Sequence, residues 1–332
     1  MKTPAFNNMY WLVKREFWEH RGSFVWAPII TGGVVLLLTL MSIITGEVFR
    51  ARSGVHINNI DFNAITAHMD ADALDKLGRA LDLSMLAPTV LIGIVLFVVI
   101  FFYCLNSLYD DRRDRSILFW KSLPLSDRDT VLSKAACATV LAPAIAIVTS
   151  VVTGLLALVM LAITASLHGA NLWQMLWTLP HPFRITTVML SNIPLYVVWA
   201  LPTVGWLMLC SAWARGKPFL WALIIPIGTG IVVSWFNLMG LFNLSDKWFW
   251  GNVVGRALLS VFPGGWIPGQ LSQDVASKFG QDASDNHQIF ANMLDLTHNY
   301  AVLATPQFLI GGVAGVAMLA GAIWFRRWRD DS

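Results

Sequence analysis

The chain has 332 residues, 56% of them hydrophobic and 13% charged, with a formal net charge of +3 and a mean hydropathy of +0.61. Soluble domains carry about 25% charged residues, so these values exclude an ordinary soluble protein and make lipid the solvent. With no basic stripe interleaved with stacking aromatics, the sequence also excludes a nucleic-acid partner.

Six charge-free runs cover about 24–46, 83–109, 135–165, 185–213, 218–243 and 301–325. Roughly 20 apolar residues cross a bilayer core as a helix, and one charge at a helix centre costs about 2.5–3.5 kcal/mol on insertion scales. The pattern predicts an all-α membrane protein: a single transmembrane domain over 1–332 with six transmembrane helices.

In chain order, the first predicted element is a helix over 7–22. Met9, Tyr10, Val13 and Phe17 share one arc of its wheel, and Arg15, Glu16 and Glu19 another. Leu12 intrudes on the polar arc. This predicts an N-terminal interfacial amphipathic helix, with Trp11 and Trp18 at headgroup depth. The run at 24–46 reads as a retained span, because GEVFRARSG follows it in place of a small-residue cleavage site. In the loop 47–82, DADALDKLGRAL alternates leucine and charge at helical spacing and predicts a short amphipathic helix.

Within the spans the irregular residues are prolines (Pro28, Pro88, Pro143, Pro194, Pro202, Pro226, Pro306) and small residues. Gly311 and Gly315 form G-x-x-x-G, which allows close helix approach. Asn106, Asn192 and Asn237 are amides at costly depth, read either as interhelical hydrogen bonds or as contacts on a translocation path. After span five, the loop 246–298 opens with WFWGNVVGRALLSVFPGGWIPGQL. That stretch is apolar but too interrupted to span, and predicts an external re-entrant helical hairpin between spans 5 and 6. In the polar remainder, Ile289, Phe290, Met293 and Leu294 form an apolar stripe.

Catalytic chemistry is sparse. The seven histidines lie outside the span cores, with no H-E-x-x-H, no G-x-S-x-G and no acidic pair inside a span. His168 and His181 flank one loop without a carboxylate or cysteine nearby. Cys104, Cys137 and Cys210 all fall within spans, so no disulfide framework or cysteine zinc site is expected. The only Gly-Lys pair, Gly216-Lys217, lacks the upstream glycine of a P-loop. The expectation is no catalytic, cofactor-binding or metal-binding residue in this chain, with any ATP site on another chain.

Lys and Arg set the predicted orientation. Fifteen of the 23 lie at Lys2–Arg21, 112–134, 215–217 and 326–329, and eight lie in the opposite loops. The positive-inside rule then places both termini and the loop 110–134 in the cytoplasm.

That loop holds the densest charge in the chain: YDDRRDRSILFWKSLPLSDRDTVLSKAA over 109–136. Positive-inside bias accounts for its arginines, but not for Ile117, Leu118, Phe119, Trp120, Leu123 and Leu125 beside them. Arg, Trp and Phe around a Leu-Pro break are residue types enriched at interface hot spots.

At these residues the sequence resembles the ABC-2 type permeases, the transmembrane subunits of ABC transporters. That family has an interfacial N-terminal helix and six spans. After span two it carries an acidic residue, an apolar stretch, a Ser-x-Pro-x-Ser element and a downstream Gly-Lys. Asp114, Ser116, Leu118, Ser122, Pro124, Ser126 and Lys134 stand at corresponding places, while Arg115 replaces a common glycine and Ser133 precedes the lysine. The resemblance implies a permease subunit of an exporter in the cytoplasmic (inner) membrane. It implies a second permease, identical or paralogous, and two cytoplasmic ATPase subunits that bind ATP and Mg. The loop would be the coupling segment, with Arg112, Arg113, Asp114, Arg115, Phe119, Trp120, Lys121, Ser122, Pro124, Leu125, Ser126, Arg128 and Lys134 as its residues. The substrate class suited to such apolar spans is amphipathic: a lipid, peptide or drug-like molecule. The rival expectation from another class is a membrane scaffold or sensor not coupled to ATP hydrolysis.

Overall fold

The computed structural model describes residues 5–52, 70–114, 126–167, 182–241, 245–266 and 295–328, and among them all regular structure is helical. Among the described residues six helices are long and apolar enough to cross a membrane: Met9–Arg52, Ser84–Arg113, Asp127–Leu167, Ile193–Trp213, Pro218–Leu238 and Pro306–Trp328.

Helix α1 (Ala5–Arg21) runs through a π-helical turn (Gly22–Trp26) into α2 (Ala27–Arg52), with a kink where His20 leaves helical φ/ψ. Helix α3 (Ala71–Ser107) absorbs the short loop helix expected at 70–81 into the second span, so the two form one element. A single turn, α4 (Tyr109–Arg113), follows. The third span begins earlier than the apolar run suggested, as α5 (Asp127–Ala136), a second π-turn (Cys137–Leu141) and α6 (Ala142–Leu167). Each of these π-turns lies just before a proline, Pro28 or Pro143, whose missing N–H and bulky ring disturb the preceding i→i−4 ladder.

The run 185–213 is not one helix. It divides into α7 (Pro182–Ser191) and α8 (Ile193–Trp213) at Asn192, because Pro194 cannot donate back to residue 190. Helix α9 (Pro218–Leu238) stops short of the predicted 243. Gly240 adopts φ +70, and Leu241 N–H bonds Phe236 O at 3.0 Å, a Schellman-type end. A broken helical arm follows: α10 (Asp246–Phe249), a π-turn (Trp250–Gly255) and α11 (Arg256–Leu259). After α12 (Leu296–Ala301), the last span α13 (Pro306–Trp328) starts at Pro306 rather than 301. Thr305 before it is extended, as a residue preceding proline prefers.

The helices belong to two compact units. One holds residues 22–96 and 144–190; there Gly154 lies against the Met85 backbone, where a Cβ would come within 2.7 Å of the carbonyl oxygen. The other holds residues 1–21, 97–143 and 191–332. Its core is the pair α8 and α13. A Cβ at Gly315 would lie 2.5 Å from the Leu201 carbonyl carbon, and one at Gly205 2.5 Å from Gly315 O. Half of the G-x-x-x-G motif thus serves close helix approach. The arm packs on α8 and α9, tied by Thr203 Oγ1 donating to Arg256 O at 2.8 Å, Tyr196 Oη to Val261 O at 2.8 Å and Trp250 Nε1 to Ser234 Oγ at 3.0 Å.

Candidate functional site

The charged loop is described only at its two roots, the end of α4 and the start of α5. Ser126 caps α5 by accepting from Asp129 N–H at 3.0 Å, and Asp127 and Asp129 occupy the first turn, where a carboxylate favours the helix dipole. Between the roots, Arg115, Phe119, Trp120, Lys121, Ser122, Pro124 and Leu125 lie outside the described residues.

Both roots are held by one side chain. Arg326, near the end of α13 and 4% exposed, donates Nη1 to Asp111 Oδ2 at 2.9 Å and Nε to Asp127 Oδ1 at 3.1 Å. Asp111 also faces Lys134 at 3.7 Å, and Lys134 Nζ reaches Glu16 Oε1 at 3.1 Å. Glu16 is fully buried; Arg15 bonds it at 2.6 Å and Tyr103 Oη donates to it at 3.2 Å. Three carboxylates and three cations from α1, α4, α5 and α13 thus form one partly buried network. Arg112 adds α8 by donating to the carbonyls of Ser211 and Ala214 at its C-terminal end, where the helix dipole favours a cation. Ser211 Oγ accepts from the backbone N–H groups of Leu108 and Tyr109 at 3.1 and 2.9 Å.

Of the expected coupling residues that are described, Arg113, Asp114, Ser126 and Arg128 are exposed beside the loop. Arg112 and Lys134 turn inward instead. Lys134, grouped with the loop on the family resemblance, is a strut of the network and presents no surface to a partner. The three amides have different settings. Asn106 is exposed, Asn192 marks the break between α7 and α8, and Asn237 donates to Asp246 Oδ1 at 2.5 Å at the base of the arm.

Helix α1 also departs from its wheel. Leu12 and Glu16, one turn apart, face inward at 4% and 0% exposure, while Tyr10, on the expected apolar face, is 55% exposed. Glu16 reverses the face because its counter-charges lie on α5 and on Arg15, more than a hundred residues apart in sequence. Trp11 and Trp18 point outward.

Among the described residues one trio, Glu16, Glu19 and His20, brings potential metal ligands within 4.8 Å of one another. Glu16 is already committed to Lys134 and Arg15, so the trio is not read as a metal centre. Cys104, Cys137 and Cys210 are buried free thiols. Compared with family models, curated proteins and solved structures, the chain matches none.

Proposed function

We propose that this chain is the permease subunit of an ABC exporter, paired with a second permease and driven by two separate cytoplasmic ATPase subunits that hold ATP and Mg. It would sit in the cytoplasmic membrane with both termini inside. One observation carries the reading: the two roots flanking a sequence rich in aromatic and basic residues are clamped together by Arg326. A solvated turn needs no such foundation, whereas a lever does.

Nucleotide-driven closure of the ATPases would press on residues 115–125. The load would pass through Asp114 and Ser126 into a network joining the first, second, third, fourth and sixth helical runs. Because ion pairs hold these ends in fixed registry, the push would move helices together rather than bend one loop. Trp11 and Trp18 would rest the first helix in the headgroup layer. The arm 246–259 would re-enter the outer leaflet beside α8 and α9, its backbone groups satisfied by protein. The substrate would be amphipathic.

The test is Trp120→Ala in the chain co-expressed with its candidate ATPase. Losing an aromatic anchor at an interface centre commonly costs about 2 kcal/mol or more, about thirtyfold in affinity. The expected result is loss of ATPase co-purification and of transport, with membrane insertion retained. Arg113→Ala should have a smaller effect that shrinks at high salt. Normal ATPase binding and substrate-stimulated hydrolysis in a Trp120→Ala, Leu125→Ala variant would show that this loop is not the coupling segment. A wild-type chain whose behaviour does not depend on a co-expressed ATPase would leave an uncoupled scaffold or sensor as the better description.

A further inference from the structure

The arm carries a charge that no described residue answers. Arg256 is 8% exposed, and its Nε, Nη1 and Nη2 have no hydrogen-bond acceptor among the described residues. Its backbone is tightly placed: Thr203 Oγ1 donates to Arg256 O at 2.8 Å and accepts from Ser260 N at 2.9 Å. Thr203 stands midway along α8. The guanidinium lies over the Trp199 ring, 3.7 Å from its centroid. Trp199 Nε1, also a donor that cannot accept, is buried and unpartnered as well.

The guanidinium also occupies the notch left by Gly311. A Cβ there would overlap Nη2 and come within 3.0 Å of Cζ. Gly311 is therefore the half of G-x-x-x-G that seats Arg256, while Gly315 seats α8. A stacked aromatic satisfies the face of a guanidinium but not its in-plane N–H groups. A buried fork of donors with no acceptor matches the two oxygens of a phosphate or carboxylate. Around Trp199 and Gly311 the contacts are apolar: Phe308 lies 6.2 Å from the Trp199 ring, and a Cβ at Gly312 would meet Val198.

We propose that Arg256, backed by Trp199 and Gly311, is a binding site for an oxyanion, a phosphate or carboxylate, carried as the headgroup of a membrane amphiphile. The site requires only the packing of the arm on α8 and α13. Its test contains no ATPase, so its outcome is separate from that of the permease reading.

The full chain is purified in dodecyl maltoside, and thermal unfolding and native mass spectrometry are recorded with dodecyl phosphate or with inorganic phosphate. Wild type should be stabilised and should retain a bound dodecyl phosphate. Arg256→Gln should lose about tenfold to a hundredfold in affinity, the range for hydrogen bonds to a charged group. Without probe it should stay folded, since its side chain gives up no protein hydrogen bond and loses only the stacking on Trp199 and the packing at Gly311. Gly311→Ala, which displaces the guanidinium without removing it, should also weaken binding, and Arg256→Lys should fall between. Stabilisation by dodecyl phosphate alone assigns the oxyanion to an amphiphile. Arg256-dependent stabilisation by both probes keeps the oxyanion site and assigns it a soluble source. Equal shifts in wild type and Arg256→Gln, or no shift in wild type, overturn the site.

Discussion

At the scale of residues, Glu16 and Lys134 determine how the first helix docks. Removing one partner of a buried ion pair commonly destabilises by about 3–5 kcal/mol, because the other charge is stranded, whereas replacing both with apolar groups can be nearly neutral. Lys134→Met should therefore lower the melting temperature in detergent far more than Ala at the exposed Arg128. The Glu16→Leu, Lys134→Met pair should recover part of the loss. Strict additivity of the two single changes would show that the residues do not act as a couple. None of this was visible on the helical wheel. A wheel assigns Glu16 to the polar arc beside Arg15, and only the fold brings Lys134 to it and buries it.

At the scale of elements, the most demanding contact is the crossing of α8 and α13. Gly315 has no room for a side chain, since a Cβ would meet Leu201 at 2.5 Å, whereas Gly33 faces open space. Gly315→Val should cost about 1–3 kcal/mol or more through overpacking, read as a lower melting temperature and less monodisperse protein on size exclusion. Gly33→Ala should leave both measurements unchanged. Equal behaviour of the two variants would mean that α8 and α13 do not pack through Gly315. The element boundaries carry a related lesson. Prolines end or interrupt runs that hydropathy reads as continuous, as at Asn192–Pro194 and Thr305–Pro306, because hydropathy does not register a missing N–H.

At the scale of the whole molecule, the network joins residues 15–16, 111–112, 127, 134, 211–214 and 326 at one end of their helices. Those are ends that a six-span path assigns to a single side, and they hold most of the Lys and Arg. In a background lacking Cys104, Cys137 and Cys210, Ser126→Cys should react with impermeant maleimide only after the cytoplasmic side is opened. Ser284→Cys should react in intact cells. Labelling of both from the same side would remove an odd number of crossings between them and defeat the six-span path.

The sequence by itself determined the helical class and the six apolar helices, because crossing a bilayer is a property of consecutive residues: length, absence of charge and intrahelical hydrogen bonding. It also located the charged loop, since charge density is read directly. Only the tertiary structure decided that Arg326 bridges the loop's roots, that Lys134 is buried rather than displayed, that Gly311 and Gly315 have different partners, and that Arg256 lies unanswered beside Trp199. Those facts depend on which residues meet across tens to hundreds of positions. Local patterning cannot encode them, because the same side chain is costly when buried alone and stable when buried beside its counter-charge.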